Sequence, residues 1–82
     1  MSGLSSVTRE ECIKAEGILK GAAKRLDGLH LSEERKQSLR DRINDGTITS
    51  HDLPASLRGD FPSRLEDETL NEIRALCRKL RS

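Results

Sequence analysis

Val7-Thr8-Arg9-Glu10-Glu11-Cys12 opens the stretch VTREECIKAEGILKGAAKRLDG, residues 7–28, and its reading decides the fold. Thr8 stands at an N-cap position with Glu11 three residues on, the two halves of a capping box, and Val7 and Cys12 occupy the staple positions on either side. From there Cys12, Ala15, Leu19, Ala22, Leu26 and Leu29 recur at alternating steps of three and four, with Ile18 and Ala23 widening the stripe. That is the period of one face of an α-helix. Gly28 is a C-terminal stop signal, so the stretch predicts a helix over about 9–27.

Working outward, Ser32 is a second N-cap, and Glu33 and Glu34 follow it where a helix dipole favours negative charge. This helix is predicted over 33–45, ended by Gly46. Its apolar face is poor: Leu39 and Ile43 are its anchors, and Arg35, Lys36, Arg40 and Arg42 stand around them. Gly46–His51 reads as a linker with one buried contact, Ile48, and Asp52 as the cap of a short helical turn near 53–58 that stops at Gly59. Pro62 turns Phe61 away from helical angles. The last helix is predicted over about 64–81, capped by Ser63 with Glu66 or else starting after Asp67. Leu70, Ile73, Cys77 and Leu80 form its seam, Leu76 beside them, with basic residues Arg78, Lys79 and Arg81 at its end.

The chain is therefore expected to be all-α: a small bundle of three principal helices plus a short one. It is expected to make one domain over residues 1–82, with 1–7 flexible. At 82 residues, with 33% apolar residues and 35% charged, its core is thin, and a domain of this size is often completed by a partner. Fifteen Lys and Arg oppose fourteen Asp and Glu, and no segment is a charged tail. The start of the chain carries no basic segment followed by an apolar run, which points to an intracellular, cytoplasmic location. In such a compartment Cys12 and Cys77 are expected to be reduced thiols. If the first and last helices pack antiparallel, the two cysteines become core neighbours.

Asp41 to Asp52 resembles an EF-hand calcium loop, with Asp41, Asp45, Gly46 and Thr47 at fitting positions. Ile43 supplies no oxygen where the third ligand belongs, and Asp52 is short for the twelfth, so no metal is expected. Leu39 to Gly46 faintly resembles the opening of a GntR-type winged helix, but the downstream strands are missing. His30 and His51, the two histidines, lack a second ligand at metal spacing. Glu10/Glu11, Glu33/Glu34 and Glu66/Asp67/Glu68 sit where helix starts attract acids, so no catalytic pair is read from them. No phosphate-binding loop or nucleophile elbow occurs, and neither a catalytic residue nor a cofactor is expected.

Nucleic acid is disfavoured, because the net charge is +1 and Phe61 is the only aromatic. A membrane partner is disfavoured as well, since the stripes lack aromatic anchors. What remains is a non-enzymatic protein- or peptide-binding module of adaptor or regulatory type, with the terminal domain of a larger protein as one form of it. The partner is a helix of another protein, or a second copy of the chain. Its expected contact is the surplus stripe of the first helix, Ala15, Leu19, Ala22 and Leu26, where Gly21 and Ala23 also allow close approach. The alternatives are a nucleic-acid-associated helical regulator and a self-assembling structural domain.

Overall fold

Thr8 starts the first helix as its sequence requires. The Thr8 hydroxyl accepts the Glu11 amide, and the Glu11 carboxylate accepts the Thr8 amide, each at 3.2 Å. The computed structural model describes residues 6–81. Residues 1–5, on which the expectation of a flexible start mostly falls, lie outside them. Val7 is buried against the core.

Four α-helices follow one another among the described residues: α1 (Arg9–Arg25), α2 (Glu33–Asp45), α3 (Ala55–Arg58) and α4 (Leu70–Arg81). Three single 3-10 turns, Leu26–Gly28, Ser50–Asp52 and Ser63–Leu65, join them. The all-α small bundle expected from the sequence is the fold observed. α1 runs through its centre and packs most extensively on α4, less on α2 and α3. The Arg9 guanidinium reaches the Leu80 carbonyl at 3.2 Å, and Cys12 meets Cys77, so α1 and α4 are antiparallel.

α2 matches its expected bounds. Ser32 accepts the Arg35 amide, and Gly46 closes the helix in the left-handed conformation at φ 74°. A Cβ at Gly46 would also overlap the side chain of Asn71, so a residue with a side chain is strained there on two counts. Leu39 and Ile43 are buried, and so is Lys36, whose stem is covered while its ammonium lies 3.7 Å from Glu33.

Four local expectations are corrected. α1 ends at Arg25, and Leu26–Gly28 tightens into a 3-10 turn closed by the Leu29 amide on the Leu26 carbonyl at 3.1 Å. Gly28 is not left-handed. Asp52 does not cap the turn ahead of it: its carboxylate accepts the Thr49 amide behind it at 3.0 Å, and α3 begins after Pro54. The last helix begins at Leu70 and not at 64. Thr69 caps it, accepting the Glu72 amide at 3.2 Å and donating to the Glu72 carboxylate at 3.0 Å. Finally, Cys12 and Cys77 are not separate thiols but a disulfide, with Cα atoms 5.7 Å apart. Antiparallel packing of α1 on α4 brings the two into one layer, within the reach a disulfide needs.

The start of α4 is fixed from outside the helix. Its Leu70 and Asn71 amides, which no helical carbonyl can satisfy, donate to Ile48 and Gly46 carbonyls at 2.9 and 3.0 Å. The Asn71 side-chain amide donates to the Asp45 carbonyl at 3.0 Å. The positive end of one helix dipole thus faces the negative end of another. Between these helices the connecting segments supply much of the core: Ile48, Leu53, Leu57, Phe61 and Leu65 are all buried. Buried Ser50 donates to the Glu66 carbonyl at 3.1 Å, which joins the two halves of this connection.

Candidate functional site

Ala15, Leu19 and Leu26 have no exposed surface, and Ala22 is 1% exposed. The four residues expected to meet a partner are interior positions of α1. α4 and the connecting segments cover that stripe.

A different face of α1 remains open. Ile13, Gly17 and Gly21 succeed one another at four-residue steps, and Ile13 is 45% exposed, the one large exposed hydrophobe among the described residues. With Ile18, Ala22 and Leu57 of α3 they line a groove of about 260 Å³. Lys14 and Arg25 complete its lining, and Lys14 lies 3.7 Å from Asp60 across one end. A Cβ built on Gly17 or Gly21 would touch nothing within 4 Å. The two glycines are therefore not there to let elements of this chain approach each other. Each instead weakens α1 by about 1 kcal/mol relative to alanine.

Several other polar residues are paired with one another. Glu11 accepts from Arg64 at 3.0 Å as well as capping α1. The Thr8 backbone amide, helped by Arg64, holds its carboxyl below the ordinary carboxylate value. Glu68, two residues ahead of α4, stands beside Glu72 of its first turn, where a proton on one carboxyl can hydrogen-bond to the other. That bond and the adjacent charge push the Glu68 carboxyl up, and the same bond pulls Glu72 down. His51 meets Asp67 at 2.9 Å on the surface, and His30 is exposed.

The calcium-loop echo is a helix end. Asp41 and Ile43 lie within α2, Gln37 donates to the Asp41 carboxylate at 2.9 Å, and Asp52 is taken up by Thr49 and Arg42. Among the described residues no group of three or more His, Cys, Asp or Glu is placed to hold a metal ion. No helix among them is long and apolar enough to cross a membrane.

Compared with protein-family models, with curated proteins and with solved structures, the chain matches none.

Proposed function

We propose that this chain is a non-enzymatic helical module of adaptor or regulatory type that binds another polypeptide. The partner lays one α-helix along the groove between α1 and α3. The observation that carries this reading is the pair Gly17 and Gly21, two interior helix positions that face open space beside an exposed isoleucine. Small residues one turn apart let a second helix approach closely, and Ile13, Ile18 and Leu57 give it an apolar seam. In this reading the contact surface lies beside the stripe of Ala15, Leu19, Ala22 and Leu26, and Ala22 belongs to both.

The intracellular, cytoplasmic location expected from the start of the chain does not join this reading. The Cys12–Cys77 bond weighs against it, because cytosolic thiol pools keep such bonds reduced.

The test is capture from native extract by the tagged domain, alongside the Gly17→Leu and Gly21→Leu variants, with and without nuclease. A leucine at either site fills the groove without entering the core, so both variants should stay folded by circular dichroism. A partner held by the native chain and lost by both variants supports the reading. Equal capture by all three ends it. Retention that disappears with nuclease favours the nucleic-acid alternative, and a dimer by light scattering favours self-assembly.

A further inference from the structure

Arg40, Arg42 and Arg64 each pair with a carboxylate, Asp27, Asp52 and Glu11. Arg9 and Arg58 donate to the Leu80 and Leu53 carbonyls. Among the described residues the guanidinium groups of Arg25, Arg35, Arg74, Arg78 and Arg81 have no partner, and of these Arg74, Arg78 and Arg81 gather at one hollow. They lie on one face of α4, about 6 and 4.5 Å apart along the helix axis. With Glu16 of α1 and Cys77 they line a hollow of about 240 Å³. Cys77, one of its lining residues, is bonded to Cys12, which ties α4 to α1. A helix C-terminus attracts cations, yet Lys79 already stands there, and the dipole of the helix amounts to about half a charge.

We infer that this hollow is a site for one phosphate monoester dianion, carried as a phosphoserine or phosphothreonine on a partner polypeptide. Three guanidinium groups against the single Glu16 carboxylate leave two positive charges, the complement of a phosphate dianion and twice that of a carboxylate. Guanidinium forks bind phosphate oxygens in pairs, which ammonium groups do not. The hollow is smaller than the roughly 300 Å³ at which pockets for larger ligands begin, so it holds a head group alone. A nucleic-acid backbone fits less well. The chain carries only one net positive charge, and its single aromatic, Phe61, is buried, which leaves no platform on which bases could stack. The polypeptide source rests on the protein-binding reading above. The phosphate site itself uses no residue of the α1 groove.

The experiment titrates the labelled domain, its disulfide intact, with four probes and follows the arginine Nε–H signals by NMR. The probes are inorganic phosphate, a short blocked phosphoserine peptide, the same peptide unphosphorylated, and a short DNA duplex. The phosphoserine peptide should saturate and move Arg74, Arg78 and Arg81, while the unphosphorylated peptide leaves them still. Arg78→Gln and Arg74→Gln should each weaken that binding about tenfold, the effect of losing a charge-assisted bond. Arg35→Gln on α2 should leave it unchanged, and so should Gly21→Leu. Loss of helix capture with phosphate binding intact would indict the groove reading alone. Equal response to both peptides, inorganic phosphate binding as tightly as the peptide, or preferential binding of the duplex would each overturn the inference.

Discussion

Cys12, one turn into α1, is bonded to Cys77, one turn before the end of α4, with Cα atoms 5.7 Å apart and 65 positions of chain between them. The bond closes almost the whole domain into a loop. In the chain-entropy account, closing a loop of that length removes about 4 kcal/mol of disorder from the unfolded state. A domain this small has a total stability of the same order. The Cys12→Ala/Cys77→Ala variant, or the native chain under a reducing agent, should therefore unfold at a much lower urea concentration than the oxidised chain. Protein purified from its native source under thiol-blocking conditions should contain no titratable thiol. Two reactive thiols there would mean that the pair works reduced.

The open glycine face makes a prediction of opposite sign. Gly17→Ala and Gly21→Ala add a methyl group where nothing stands within 4 Å. Each should raise stability by about 0.5–1 kcal/mol, measured as a higher urea midpoint at unchanged slope. Gly46→Ala should do the reverse. Its left-handed backbone costs a side-chain residue about 1–2 kcal/mol, before the overlap with Asn71 is counted. If all three glycines responded alike, the difference drawn between a working glycine and a vacant one would be wrong.

Much of this was legible in the residues. Thr8, Ser32 and Gly46 announce their helix ends through local chemistry, and the stripe from Cys12 to Leu26 announces one apolar helix face through its period. Two things were not legible. Ser63 with Glu66 and Thr69 with Glu72 are equal capping signals six residues apart, and no local rule ranks them. The carbonyls of Gly46 and Ile48 decide between them by taking the amides of Asn71 and Leu70. Periodicity likewise finds the apolar face of α1 but says nothing about what covers it. Ala15, Leu19, Ala22 and Leu26 read equally as core or as seam until α4 is in place. The open face has a weaker sequence signal, two glycines that lower helix propensity with no turn to justify them.

The junction between α2 and α4 should be measurable in isolation. First-turn helix amides ordinarily exchange fast, since they lack helical acceptors. Leu70 and Asn71 donate to the chain at Ile48 and Gly46, so their amides should exchange slowly. Asn71→Ala removes the side-chain bond to Asp45 and should cost about 1 kcal/mol. Thr69→Ala removes the cap and should cost about as much. Fast exchange at both amides in the native chain would show that α4 starts elsewhere.

Two carboxylates give stability opposite dependences on pH. Glu11 is held below its ordinary value of 4.5, chiefly by the Thr8 amide and then by Arg64. Its contribution is fully present above that value and is lost as pH falls through the lower value of the folded chain. Glu68 is held above 4.5 by its hydrogen bond to Glu72, by burial and by the neighbouring charges. Its contribution is present in acid and is lost as pH rises through the raised value. Urea midpoints measured from pH 2 to 7 (a range chosen to bracket both groups, on the order of two units either side) should separate them. Glu11→Gln should lower the midpoint at neutral pH and converge with the native chain in acid. Glu68→Gln keeps the amide able to donate to Glu72 and removes the like charge. It should match the native chain in acid and exceed it at neutral pH, and a Glu68→Gln midpoint below the native one at pH 7 would remove the shared-proton account of this pair.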